Sequence, residues 1–563
     1  MQRSAFSKPL TWLILAAIGA IQLIAVMRLH PTNLFGWSGD DTLYFTSAKA
    51  LAEGKGYVLP SIPGTPRATK YPILYPWLLS WVWRWNPAFP SNLPAAMAVN
   101  ISFGIAFVVA TFLLLRGMKG MSDTGALLVT ALSAAHPIVL SYEANLTTDI
   151  PFAAITVTAI WLTSKSLDKS SGLAVAFFSG FSAGLTMLMR VLGLPIVAGL
   201  LLAQVLRGGP RKLAAFVAGG VPFFVTFFVH SISSAPVKPI AYSPPSVCAR
   251  SWQLTWIYFT SYWNFWKASA IENHAFWSFV NTNTRALVYQ IGAYFIDLRQ
   301  IRITPWAIVL FVIVLLIAVR GLIRQVEAEG LLPAHLALSF YLVPVLIWDW
   351  PNLERFLIPF LPIIIAGAWI EASHIAKALR ESFKQKRNMQ AWFAAAVCAI
   401  SVIAIVTAAG ITWWRAIVVV ADLSAERSAL LADKREAYQW LRERTAPDAR
   451  IIAYEAGSAF LYSTRQGIAP AVLLPCGKFQ QEVLDAQADC LLAPAEPIAA
   501  SYWIVADDDF HLEWPTATSR ERSIEKQLEA SYPLLFRTQA GHVRIYRLPY
   551  SPKEGKGCLT GML

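Results

Sequence analysis

Apolar runs of membrane-spanning length recur along the chain at 10–27, 93–115, 124–140, 151–164, 173–189, 191–206 and 213–231, then at 305–319, 332–348, 356–372 and 391–413. They predict a polytopic α-helical membrane protein with about eleven spans. When those spans alternate, the cations Arg3 and Lys8, Arg116 and Lys119, Lys165 and Lys169, Arg207, Arg211 and Lys212, Arg320 and Arg324, and the cluster at 377–387 all fall on one side. Positively charged loops stay in the cytoplasm, so that side is the cytoplasmic one. The least distinct spans are the fifth and sixth, broken only by Arg190, Gly193 and Pro195. A hairpin there keeps the charge rule; a single helix reverses every later loop and violates it.

The polar intervals then sort by side. A first loop at 30–92, the connection at 142–149, the turn at Arg190, a long loop at 232–304, the connection at 349–355 and everything after the last span are expected outside the cytoplasm. The long loop is rich in tryptophan, including Trp252, Trp256, Trp263, Trp266 and Trp277, which predicts a segment lying on the membrane surface. From residue 421 to 563 the pattern becomes that of a soluble domain. It predicts helices at 426–444, 480–488 and 520–530, strands at 450–454, 471–474 and 501–506, and a hairpin at 535–548, together a small α/β domain. Residues 1–420 form the membrane domain.

Composition agrees: 56% of the 563 residues are hydrophobic and 14% charged, against roughly 25% charged in soluble domains. The net charge of +13 is dispersed in short clusters between apolar runs, and no contiguous basic face points to nucleic acid. Arg3 and Lys8 precede a first run long enough to remain as a helix rather than be cleaved. None of the five cysteines forms a metal-type pair. Cys398 reads as packing within a span, whereas Cys476 and Cys490 share the soluble region and can pair there if it lies outside the cytoplasm.

The chemistry concentrates behind the first span. Asp40 and Asp41 follow it directly, and ionised carboxylates are costly inside hydrocarbon, which places them at the aqueous boundary. One reading is helix capping by Ser38, Asp40 or Asp41, with the helix continuing to Glu53 and closed by Gly54 and Gly56. On that helix Tyr44, Ala48, Leu51 and Ala52 share a face, predicting a segment that lies along the interface. After Pro60, Pro63 and Pro66 comes Lys70, in an aromatic, proline-rich return to the membrane. Arg190 and Arg355 stand at outer helix ends, where cations are under-used; they either snorkel or face an anion. Glu143 and Asp149 flank a short outer connection, as helix caps or as functional acids. Asp507-Asp508-Asp509 looks like the acidic metal motif of nucleotide-sugar transferases, but the domain is small for that fold and a solvated loop is the better reading.

Gly39-Asp40-Asp41, Tyr44, Gly54-Lys55-Gly56-Tyr57 and Lys70-Tyr71-Pro72 with Leu74-Tyr75, together with Glu354-Arg355-Phe356, resemble the C-type (GT-C) glycosyltransferases, nearest the protein O-mannosyltransferases and lipid A aminoarabinose transferases. The resemblance implies an inverting transfer of a sugar from a polyprenyl-phosphate carrier to an extracytoplasmic lipid, glycan or protein at a bacterial inner membrane. It implies Asp40, Asp41 and Asp149 as catalytic acids and Lys70, Arg190 and Arg355 as phosphate-binding cations. Tyr44, Tyr71, Tyr75 and Glu143 are the expected substrate contacts. Asp40, Asp41 and Asp149 can hold a divalent metal if they converge; no nucleotide is expected. Aminoarabinose transferases commonly carry Arg where this chain has Leu43, which argues against that sugar. The rival reading is a transporter or flippase of a lipid-linked sugar, but transporters place acids near the membrane midplane and repeat their interrupted helices, and neither feature occurs here.

Overall fold

A computed structural model describes residues 7–233, 247–272, 274, 276–348, 353–385, 389–470, 490–509 and 515–550. The chain enters through helix α1 (Lys8–Arg28) and leads by a short turn, Pro31–Leu34, into α2 (Asp40–Ala52) and α3 (Leu74–Trp85). The membrane body continues with α4 (Leu93–Arg116), α5 (Asp123–Ala134), α6 (Pro137–Glu143), α7 (Asp149–Ser166), α8 (Leu173–Met189), α9 (Gly193–Arg207) and α10 (Gly209–Ser233). The outer loop contains α11 (Val247–Thr260), α12 (Tyr262–Trp266) and α13 (Phe276–Ala293), followed by α14 (Pro305–Glu329), α15 (Pro333–Leu346) and α16 (Leu361–Gln385).

Among the described residues six helices are long and apolar enough to cross a membrane, or seven when α5 and α6, bent by 56°, are taken as one span. The shorter apolar helices α8, α9 and α15, with α7, occupy the remaining expected positions. The expected hairpin is present: α8 ends at Met189, and Gly193 packs so tightly against the Thr186 carbonyl that a Cβ would collide with it. Close approach also joins α8 to α10, where Gly180 meets the Phe216 carbonyl and Gly219 that of Phe177. Without a hydrophobic drive between spans, such small-residue contacts are what let helix backbones pack in lipid.

The last span and the first soluble helix are one element. α17 runs unbroken from Met389 to Arg444, 56 residues, or roughly 84 Å at 1.5 Å per residue. The expected division at residue 421 therefore falls within a helix that both domains share. Beyond it stand β1 (Arg450–Ile452), α18 (Ala456–Ser463), β2 (Gln466–Ile468), β3 (Tyr502–Ala506), α19 (Pro515–Glu529), β4 (Leu534–Arg537) and β5 (Val543–Arg547). The sheet order is β2-β1-β3-β5-β4, with β1 parallel to β2 and β3 and with β5 antiparallel to β3 and β4. Central β3 is buried throughout. Tyr502, Ile504 and Ala506 pack with Ala437, Tyr438 and Leu441 of α17, while Trp503 and Val505 join the main core. Both faces are covered, which explains why β3 reads as a continuous apolar run.

The sequence did not indicate α18 or β2, and these are the elements that dock the soluble domain on the first loop. Gly467 N donates to the Ser61 carbonyl at 2.9 Å, and Gln466 Nε2 to that of Pro60 at 3.0 Å. The soluble domain and the Asp40 loop thus share one side, as an even number of intervening crossings requires. The expected strand at 471–474 and helix at 480–488 lie outside the described residues, as do Cys476 and parts of 232–304, 349–355 and 377–387. Cys490 is disulfide-bonded, and Cys398 is free.

Two expectations about surface segments change. α2 is buried on nearly every side, with Tyr44, Phe45, Thr46, Ser47 and Ala48 all inside. It is not an amphipathic helix on a lipid surface, because α3 packs on one side and α18 on another; Gly457 presses on Thr42 so closely that no Cβ fits. The outer loop is likewise divided: Trp263 and Trp277 are exposed, but Trp252 and Trp256 are buried. That loop is tied down where Thr69 Oγ1 donates to the Thr260 carbonyl.

Candidate active site

Where α2, the outer loop, α17 and the soluble domain meet, they enclose a cavity of about 310 Å³. Asp40, Lys70 and Arg355 line it, with Tyr258 and Phe259 from the outer loop and Tyr454, Glu455, Gly457 and Ile468 from the soluble domain. Its floor includes Tyr142, Asn145 and Thr147.

Asp40 sits in the first turn of α2, where the helix N-terminus favours a negative charge. The N-cap is Gly39, which has no side chain to bond; the first-turn N–H groups are met by Ser38 Oγ, which accepts from Asp41 N at 3.2 Å, and by Asp41 Oδ1, which accepts from Thr42 N at 2.8 Å, and not by Asp40. The helix closes as expected, with Gly54 in the left-handed region (φ 74°) and Lys55 N donating to the Ala50 carbonyl at 2.9 Å. Asp40 is thereby left to the cavity. Its Oδ1 accepts from Tyr71 Oη at 2.5 Å, and its Oδ2 lies 3.7 Å from an Arg355 nitrogen. Lys70 is buried, its Nζ 3.6 Å from the centre of the Tyr258 ring, where an aromatic face favours a cation.

The other expected residues are placed differently. Asp41 is fully buried and does not line the cavity; Oδ2 accepts from Gly36 N at 2.7 Å and Oδ1 from Thr42 N at 2.8 Å. Asp149 forms an ion pair with Arg190, whose guanidinium lies 5.4 Å from the Phe356 ring and 5.8 Å from that of Phe152. Neither residue lines the cavity, because each already neutralises the other within the protein. Glu143 is buried against α1, where its Oε2 accepts from Gln22 Nε2 at 2.5 Å, and it does not reach the cavity. Tyr44 packs at a tilt against Tyr71 and edge-to-face against Tyr75, with centroids 4.7 and 5.3 Å apart, and Tyr75 Oη donates to Asn100 Oδ1 at 3.3 Å. None of the three tyrosines lines the cavity; Tyr71 touches the site through its hydroxyl on Asp40. Among the described residues no three His, Cys, Asp or Glu side chains gather as a metal site. Asp40, Asp41 and Asp149 have separate partners, so no step is routed through a metal.

Burial pushes the Asp41 carboxyl up to about 7, against the Gly36 and Thr42 N–H bonds that favour its ionised form. An acid whose pKa is raised by folding stabilises the fold most below its unfolded value, and that contribution is lost as pH rises towards 7. Asp41→Asn cannot titrate. In thermal unfolding of the purified protein, the wild-type midpoint is expected to fall relative to that of Asp41→Asn between pH 5 and pH 8; a difference independent of pH refutes this.

Sequence reasoning missed the soluble domain's share of the site and the charge cluster behind it. Asp507-Asp508-Asp509 is not a solvated loop. Asp508 Oδ2 accepts from Lys434 Nζ at 2.8 Å and from Arg427 at 3.2 Å, Asp509 is buried with Oδ2 accepting from Ala506 N at 2.9 Å, and Asp507 is exposed but paired with Arg544 and His542. Arg427 and Lys434 are i and i+7 on α17 and so share a face; that spacing was the available signal. Tyr258 and Phe259 carried only the general signal of an aromatic-rich loop.

No family model and no curated protein matches the sequence. The structure is similar to archaeal oligosaccharyltransferase AglB from Archaeoglobus fulgidus in complex with an inhibitory peptide and a dolichol-phosphate. The TM-score is 0.50 at 14% identity, covering 95% of this chain and 74% of that one. It is also similar to ArnT from Cupriavidus metallidurans bound to undecaprenyl phosphate, with TM-score 0.49 at 10% identity, covering 95% and 98%. The AglB likeness shows the fold alone: a polytopic helical membrane body followed by a small soluble domain.

Proposed function

We propose that this protein is an inverting glycosyltransferase that moves a sugar from a polyprenyl-phosphate carrier to an acceptor hydroxyl on a lipid, glycan or protein outside the cytoplasm, at a bacterial inner membrane. The observation that carries this reading is the convergence of Asp40, Lys70 and Arg355 on one cavity between the membrane helices and the soluble domain. The AglB structure holding a dolichol-phosphate suggests a lipid phosphate as the anion those cations receive.

The acceptor hydroxyl loses its proton to Asp40 as its oxygen attacks the anomeric carbon, and the bond from that carbon to the phosphate oxygen breaks. Arg355 and Lys70 face the phosphate as its charge grows. One displacement by one base inverts the anomeric centre. Glu455 also lines the cavity, but Oε1 is held by Arg427 at 3.0 Å and Lys434 at 2.7 Å, which leaves Asp40 as the base.

The test is transfer of labelled sugar from defined polyprenyl-phosphate donors to envelope acceptors by the protein in liposomes, with the anomeric configuration of the product determined. Mass spectrometry of carrier and envelope glycans with and without the gene identifies sugar and acceptor. Movement of intact lipid-linked sugar across the bilayer without cleavage of the phosphate–sugar bond replaces this reading with the transporter.

A further inference from the structure

Arg427 is buried on α17, above the membrane body, and its guanidinium faces four groups from two domains. Nε donates to the Asn33 carbonyl at 3.3 Å and an Nη to the Phe35 carbonyl at 3.1 Å. The other Nη donates to Glu455 Oε1 at 3.0 Å and to Asp508 Oδ2 at 3.2 Å. The first two belong to the turn ahead of α2, and the last two to the soluble domain. Lys434 holds the same two carboxylate oxygens from the next turns of α17, at 2.7 and 2.8 Å, so the buried charges are matched and hydrogen-bonded.

The Phe35–Gly36 peptide is held at both ends. Its carbonyl accepts from Arg427, and its N–H donates to Asp41 Oδ2 at 2.7 Å. Asp41 is the neighbour of Asp40 in the first turn of α2, so a shift of this peptide turns the start of the helix. The position tolerates no side chain: Gly36 has φ 90°, and a Cβ there would stand 2.7 Å from Ser458 Oγ and 2.8 Å from Glu455 Oε2. The soluble domain is therefore in contact with the peptide that orients the acid pair.

We propose that Arg427 is a positioning residue for Asp40: by joining the turn ahead of α2 to Glu455 and Asp508, it makes the docked soluble domain part of the catalytic unit. This rests on the reading of Asp40 as the base. Lysine preserves the charge but not the planar fork that reaches two carbonyls and two carboxylates at once.

The experiment is a double-mutant cycle on the full-length protein in liposomes, with R427M, R427K, D40N and both double variants, each checked for equal folded fraction. Displacement of a reacting group by a remote change costs on the order of ten- to a hundredfold. R427M and R427K are expected to lower kcat by about tenfold or more, with the donor KM changed by no more than about twofold, and to cost little further in the D40N background. A purely structural clamp predicts independent losses that multiply. Wild-type kcat in R427K, or multiplicative losses, overturns the proposal; if R427M does not fold, the R427K arm decides it. A fully active D40N instead refutes Asp40 as the base, and so fails the underlying reading separately from the role of Arg427.

Discussion

Asp40→Asn is expected to fold, insert and bind donor lipid, and to lose on the order of a hundredfold or more in turnover, the usual scale for a removed general base. The substitution preserves size and still receives the Tyr71 hydroxyl bond on its carbonyl oxygen. It also leaves the helix start intact, because the bonds to first-turn N–H groups come from Ser38 and Asp41 rather than from Asp40. What it removes is the proton acceptor facing the cavity. Capping and catalysis are thereby separated: a capping role predicts near-normal activity. The measurement is single-turnover transfer of labelled sugar at saturating donor, together with donor binding. Full turnover in Asp40→Asn refutes the assignment. Asp149 is a poor substitute for the base, since Arg190 occupies it within the protein.

Lys70→Met and Arg355→Met carry the second large effect. Both cations line the cavity, but they stand differently with respect to the base. Lys70 lies against Tyr258, so its loss is expected to weaken both donor binding and departure of the phosphate. Arg355 is also 3.7 Å from Asp40 Oδ2, so its loss removes a phosphate contact and an electrostatic restraint on the base together. Each variant is expected to lose on the order of a hundredfold in kcat/KM, the scale of one donor removed from a developing charge. In Arg355→Met the larger share is expected in kcat. Arg190→Met provides the contrast: it leaves Asp149 buried and unpaired, which lowers stability, and affects the reaction only through folding. Wild-type donor kinetics in both Lys70→Met and Arg355→Met eliminate this phosphate site.

The spans and their alternation were legible because hydrocarbon imposes them locally. Every spanning backbone must satisfy its own hydrogen bonds in an apolar run, and cations mark the loops that remain behind. That Asp40, Lys70 and Arg355 stand at the membrane boundary was legible for a related reason: charge inside hydrocarbon is costly. The partners of Asp41, Asp149, Arg190 and Glu143 were not legible, since an acid or a base in sequence does not show which side chain or backbone group it will meet. Tertiary packing decided that Asp149 meets Arg190 and that Glu143 meets Gln22. It also decided that α2 is buried rather than lying on lipid, because α18 arrives from more than 400 positions later in the chain to press Gly457 against Thr42. The sequence by itself determined the frame of a polytopic membrane protein and placed three charges at its boundary. Only the tertiary structure decided that a soluble domain closes over them and that Arg427 ties it to the acid pair, because contacts between distant segments leave no local periodicity to read.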